Sequence, residues 1–186
     1  MNLPNKITIA RILLIPLFLL VLLGGFLSPV SSRHGALVIF IIASLSDWLD
    51  GFLARRLNQI TNFGKFMDPI ADKLLLSAAL VALVELGSIA AWMAVVIISR
   101  EFIVSGVRLV AAEQGRVITA STWAKVKTAI QMLMVIALLA AHESVLREYA
   151  ILAAVCELLK WLSIFLSVMS AYDYIYKNKD LFKKGE

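Results

Sequence analysis

Cysteine and histidine are almost missing from this chain. Cys156 is its one thiol, and His34 and His142 are its two imidazoles. A single cysteine excludes an internal disulfide, and Cys156, set in the apolar run LAAVCELL, reads as a small buried hydrophobe. Both histidines fall in segments expected to be solvated loops, far along the chain from its acidic cluster. Acid is scarce too: 13 aspartates and glutamates stand against 18 lysines and arginines, and charged residues make up 17% of the sequence. No internal repeat is present, and no segment has the composition of a separate soluble domain.

What is abundant is apolar. Hydrophobic residues make up 61% of the 186 positions, with a mean hydropathy of +0.87, against roughly 45–50% in an ordinary soluble domain. Residues 12–23, 35–45, 74–84, 89–98, 129–141 and 149–171 are nearly free of charge. Modest extension brings several of them to the ~20 residues that cross a bilayer core. The expected fold class is therefore all-α, a polytopic membrane protein of six transmembrane helices at about 7–27, 35–57, 66–86, 88–112, 121–141 and 150–174. Lys6 and Arg11 ahead of an apolar run also suit a signal peptide, but nothing downstream reads as a secreted soluble domain.

An even number of spans puts both termini on one side. Lys6, Arg55, Arg56, Lys65, Arg116, Lys125, Lys127 and the basic tail group with the termini, while Arg33 and Arg147 fall opposite. That bias makes the termini cytoplasmic, so the net charge of +5 points to membrane lipids rather than nucleic acid. Glu157 and Lys160 interrupt the last span one helical turn apart, where they can pair. Alternatively residues 143–157 lie on the outer surface and the span begins near Leu158.

Against this background, SDWLDGFLARRLNQITNFGKFMDPIADK (46–73) holds four of the 13 acids: Asp47, Asp50, Asp68 and Asp72. With a helical hairpin turning near residue 60, Asp50 lies 10 positions before the turn and Asp68 lies 8 after it. Asp47 and Asp72 lie 13 before and 12 after. Equal distance from the turn means equal depth, so the carboxylates come level in two tiers. The 47/50 and 68/72 spacings put each pair on one helix face. At ~1.5 Å per residue they stand roughly 12–20 Å from the turn. Pro69 follows Asp68 in what is expected to be the first turn of its helix.

Ionisable groups inside membrane spans are unfavourable and usually mark functional sites. Pairing with Arg55 and Arg56 is the structural alternative, but two arginines cannot neutralise four acids. Carboxylates without cysteine or histidine suit hard divalent ions such as Mg²⁺ or Mn²⁺. Four of them can hold two such ions, an arrangement used for displacement at phosphorus. Gly51, Ala54 and Gly64 remove bulk beside the acids, as close helix packing or approach to a ligand requires. Arg55 can meet a pyrophosphate with its planar fork.

Asp47, Asp50, Gly51, Ala54, Arg55, Gly64, Asp68 and Asp72, in this spacing, resemble at every position the signature of the CDP-alcohol phosphatidyltransferase family. The six-span layout resembles that family as well. The resemblance implies one catalytic domain over 1–186, with two Mg²⁺ or Mn²⁺ ions on Asp47, Asp50, Asp68 and Asp72. It implies Asp72 as the general base, CDP-diacylglycerol as donor at Gly51, Ala54, Arg55 and Gly64, and a homodimer. It places the enzyme in the cell (inner) membrane with its polar cavity on the cytoplasmic side.

The family varies its acceptor alcohol. Arg100 and Arg108 in SREFIVSGVR, with Lys125 and Lys127 in STWAKVK, would supply the cations that a dianionic phosphate needs. Snorkelling to cytoplasmic headgroups is their bland alternative, and Lys125 and Lys127 cannot both face inward. These segments, and NLPNKITIARILLIP at the start, resemble the members that use sn-glycerol 3-phosphate and release CMP. Asn5, Thr8 and Arg11 recur every three residues on one helix face, toward nucleotide or acceptor. Inositol 1-phosphate is the main competing acceptor. A divalent-cation transporter is a rival of another class, which acids spread over several spans would favour; here all four lie on one hairpin.

Overall fold

The computed structural model describes residues 3–56, 62–116, 122–141 and 149–179. Among these residues every regular element is a helix: α1 (Leu3–Leu23), α2 (Pro29–Arg56), α3 (Asn62–Glu85), α4 (Ala91–Glu113), α5 (Thr122–Ala140) and α6 (Ala150–Lys177). Three of them, α2, α5 and α6, carry windows long and apolar enough to cross a membrane, and Ile7–Leu23 of α1 is a shorter apolar stretch. In α4, Arg100, Glu101 and Arg108 interrupt the run.

The helices fall where the apolar runs place them, with two differences that change where a named residue sits. First, α2 begins at Pro29 rather than near Gly35, so His34 sits exposed on a helix and not in a loop. Proline suits a helix start, where its missing N–H has no partner to lose. Second, α3 begins at Asn62 rather than Phe66, which carries Pro69 about a turn further into the helix than its first turn. The last helix, α6, runs from Ala150 as expected, continuous through Glu157 and Lys160, and the alternative start near Leu158 does not hold. Its Glu157 and Lys160 do pair, at 2.5 Å. His142 lies outside the described residues.

Two of the expected turns end on left-handed glycines. At the end of α3, Gly87 (φ +67°) donates to Val84 and Ser88 to Leu83. After α4, Gly115 (φ +71°) donates to Ala112 and Arg116 to Ala111. Both turns return N–H groups to carbonyls that the helix leaves open, in a conformation only glycine adopts at little cost.

The chain divides into two compact units. One holds Met1–Ser88 and Val135–Glu148; the other holds Ile89–Met134 and Tyr149–Glu186, so α5 contributes to both. In the first, α1 packs against α2 and α3. Ile15, Phe18 and Leu22 of α1 are buried, as are Ala36, Phe40 and Ala43 of α2, at the three- and four-residue spacings of single helix faces. Phe18 and Phe40 meet with ring centroids 6.1 Å apart. From Leu75 to Leu83, α3 is buried over most of its circumference, with Val81 exposed. Arg33, expected only as a charge on the outer side, donates through Nη1 to the carbonyls of Leu138 and Ala141 at 3.3 Å each. It thereby caps α5 with a cation at its negative end.

In the second unit α4 and α6 run parallel. Trp92 meets Trp161, Arg100 meets Ser170 and Arg108 meets Tyr174, in rising order along both helices. The buried positions of α4 (94, 97, 100, 104, 107, 111) recur at steps of three and four, the seam of two closely aligned helices. On the outside, Val95, Phe102, Leu109, Ile151, Leu158 and Phe165 are exposed. Within, Arg100, Lys127, Gln131, Ser163, Ser167 and Ser170 are buried. An apolar exterior around a polar seam is the reverse of a water-soluble fold and matches a lipid solvent.

Candidate functional site

The acidic hairpin belongs to the first unit. The backbone is helical at 47, 50, 51, 54 and 55 on α2 and at 64, 68 and 72 on α3. Because α2 stays helical through Arg56, positions 47 and 50 lie one turn apart; so do 68 and 72 on α3. The two helices pack on each other and both pack on α1. The side chains of Asp47, Asp50, Gly51, Ala54, Arg55, Gly64, Asp68, Asp72 and Asn5 lie outside the described residues. Four carboxylate-bearing positions in this helical register, with no nitrogen or sulfur donor among them, have the chemistry of a hard-cation site. On α1, Thr8 and Arg11 are buried, at 1% and 0% exposure, so this face of the helix points into the protein.

A cavity of about 750 Å³ in the same unit lies around Leu19, Gly25, Arg33 and Glu85. It adjoins the opposite ends of α1–α3, roughly 20 Å along α2 from position 47, and its walls are mostly apolar.

The basic residues belong to the second unit, and the structure sorts them. Arg100 and Lys127 are buried and converge on one acid. Glu101 Oε1 accepts from Arg100 Nη1 at 3.3 Å and is in contact with Lys127 Nζ. Arg100 also donates through Nε to Ser170 Oγ at 3.0 Å. Arg108 is more exposed; its Nε donates to the Tyr174 hydroxyl at 3.2 Å, with the guanidinium 5.7 Å from that ring's centre. Lys125 is exposed. The pair of lysines therefore splits as adjacent odd positions require, Lys127 inward and Lys125 outward.

Sequence reasoning passed over the α6 side of this cluster. Gln131 Nε2 donates to Ser167 Oγ at 3.0 Å, Ser167 Oγ to the Ser163 carbonyl at 2.7 Å, and Ser170 Oγ to the Ser167 carbonyl at 3.1 Å. The available signal was the recurrence of Ser163, Ser167, Ser170 and Tyr174 at steps of four, three and four. Those steps place hydroxyls on one face of an otherwise apolar helix. Serines that return their protons to the preceding turn can lie in an apolar bundle without an external partner.

Comparison with known proteins gives one consistent result. Residues 1–169 match the family described as CDP-alcohol phosphatidyltransferase. A Bacillus subtilis (strain 168) protein named "CDP-diacylglycerol--glycerol-3-phosphate 3-phosphatidyltransferase" is 47% identical over 195 residues, covering 98% of this chain and 97% of that one. Proteins of the same name from Rickettsia bellii (strain RML369-C) and Pseudomonas fluorescens are 38% and 49% identical. The first match covers 97% of both chains; the second covers 75% of this chain and 73% of its relative.

Proposed function

The chain belongs to the CDP-alcohol phosphatidyltransferase family, and we propose on that footing that it makes phosphatidylglycerophosphate. It is a CDP-diacylglycerol-dependent phosphatidyltransferase, and in this reading the acceptor is sn-glycerol 3-phosphate and the second product CMP. The observation that carries the acceptor is the pair of buried cations, Arg100 and Lys127, in the polar seam of a bundle with an apolar exterior. A neutral alcohol gives such a pair nothing to bind, whereas a phosphate dianion offers several charged acceptors. The names of the relatives support the same choice.

In this reading Asp47, Asp50, Asp68 and Asp72 would hold two Mg²⁺ or Mn²⁺ ions. When bound, these supply charge neutralisation at the pyrophosphate and polarise the phosphorus that carries the diacylglycerol. Asn5, Thr8, Gly51, Ala54, Arg55 and Gly64 form the CDP-diacylglycerol site, with Arg55 directed to the pyrophosphate. Arg100, Arg108, Lys125 and Lys127 receive the acceptor phosphate, the two arginines and Lys127 binding it and the exposed Lys125 attracting it. Asp72, as general base, takes the proton of the acceptor hydroxyl. That oxygen then bonds to the phosphorus as the bond to CMP breaks.

The whole chain acts as one catalytic domain of six membrane spans, a homodimer in the inner membrane, with both termini and the active site cytoplasmic. CMP release by the purified protein is the test, with CDP-diacylglycerol, Mg²⁺ or Mn²⁺, and glycerol 3-phosphate, inositol 1-phosphate, serine or phosphatidylglycerol in turn. Release with glycerol 3-phosphate alone is expected. Release with inositol 1-phosphate alone would keep the family chemistry and replace the acceptor. No release with any acceptor, despite metal binding, would turn the reading to a divalent-cation transporter.

A further inference from the structure

We propose that Glu101 is a positioning residue of the acceptor site, whose carboxylate holds the Arg100 guanidinium and the Lys127 ammonium side by side for the acceptor phosphate. The inference rests on the reading of Arg100 and Lys127 given above and assigns the acid between them. Arg100 and Lys127 come from different helices and their side chains are 7% and 2% exposed. Two such cations repel, the more so in apolar surroundings. Each would be expected to turn toward the headgroups if nothing held it. Glu101 opposes this for both at once, because one of its oxygens, Oε1, contacts both.

The geometry is reinforced from the third helix. Ser170 of α6 holds the Arg100 Nε and is itself fixed to the Ser167 carbonyl. The guanidinium is thus held at two points, by α4's own glutamate and by α6. Both cations are held on one carboxylate oxygen, so they are aligned before an anion arrives. One acid against two cations leaves a surplus of one positive charge, and Arg108, two turns further along α4, adds another. That sum matches a phosphate dianion. Glu101 weakens the gross attraction for an anion; what it contributes is alignment, and the two can be told apart.

The experiment is steady-state CMP release by the full-length, detergent-purified protein, with glycerol 3-phosphate and CDP-diacylglycerol varied separately. Glu101→Gln is expected to raise the KM for glycerol 3-phosphate about tenfold, the scale of losing a residue that orients a ligand-binding group. Loss of binding made equally in ground and transition states leaves kcat, and here the KM for CDP-diacylglycerol, within about twofold. Glu101→Asp recovers part of the loss. The double variant Glu101→Gln, Lys127→Ala loses less than the sum of the two single losses, since part of what Glu101 does runs through Lys127.

An unchanged or lowered acceptor KM in Glu101→Gln overturns the proposal, as does a fully additive double variant. A fall in kcat with a lowered melting temperature in both Glu101→Gln and Glu101→Asp also overturns it, leaving a structural ion pair. Failure of the underlying reading looks different: Arg100→Ala and Lys127→Ala would themselves leave the acceptor KM unchanged.

Discussion

The two compact units bury different kinds of surface. In the first, α1, α2 and α3 meet through Phe18, Phe40, Leu75, Leu80, Leu83 and a set of alanines, with Thr8, Arg11 and Ser32 as the buried polar members. In the second, α4 and α6 meet through Arg100, Ser170, Arg108 and Tyr174, and Gln131 of α5 reaches Ser167. The four aspartate positions of the first unit fall in the halves of α2 and α3 nearest the connection between them. The second unit carries its polar groups along the seam itself. In a lipid solvent, apolar surface gains little by facing apolar surface, so a hydrogen-bonded seam can do the holding as well as the binding.

Substitutions can break that division. Asp47→Asn, Asp50→Asn and Asp68→Asn should each lower turnover by about a thousandfold or more, the scale of disabling a metal-assisted displacement. Melting temperatures should stay near that of the parent, because asparagine keeps the volume of the carboxylate it replaces. Asp72→Asn should lower kcat while sparing donor binding, measured by retention on CDP-diacylglycerol mixed micelles. Retained wild-type turnover in any of the four would remove that aspartate from the site.

Next comes the core of the first unit. Phe18→Ala deletes a fully buried ring that packs on Phe40 and should destabilise the protein by roughly 3–5 kcal/mol. Thermal unfolding in detergent measures this, and the acceptor KM of the protein that stays folded should not change. A selective change in that KM would dissolve the contrast between the two units.

Within the second unit, Arg108→Ala should raise the KM for glycerol 3-phosphate about tenfold, as loss of one charge-assisted contact does. Lys125→Ala, at an exposed position, should change it by about twofold or less. Equal effects would mean that both act as general attraction rather than as ligands. The smallest effect is expected at Gln131. Its Oε1 is buried and has no hydrogen-bond partner among the described residues. Gln131→Leu removes an unsatisfied acceptor together with the Ser167 contact, and should alter stability by about 1 kcal/mol or less in either direction.

The parts that were legible in the sequence rest on local rules. Apolar runs marked five of the six helix starts to within a turn, because hydropathy and backbone satisfaction in lipid act residue by residue along the chain. α2 was missed at its start, where VSSRH reads as loop but Pro29 opens a helix. The family was legible because eight positions at set spacing lie on one hairpin. Arg100 and Lys127 were nominated by charge alone; their partners were not. Ser170 and Tyr174 are unremarkable in sequence, and only the parallel register of α4 and α6 brings them to the arginines; Glu101 adjoins Arg100 in the chain, but its contact with Lys127 of α5 is tertiary.

What the sequence by itself determined is therefore an all-helical chain with an apolar exterior and an acidic hairpin of known family pattern, since periodicity and spacing are properties of a single helix. What only the tertiary structure decided is which charges are buried and what holds them. Lys127 rather than Lys125 faces the seam, Arg33 closes the end of α5, and Glu101 joins Arg100 to Lys127. Those outcomes depend on the rotation and register of one helix against another. Contacts between residues far apart in the chain set them, and no window of sequence contains those contacts.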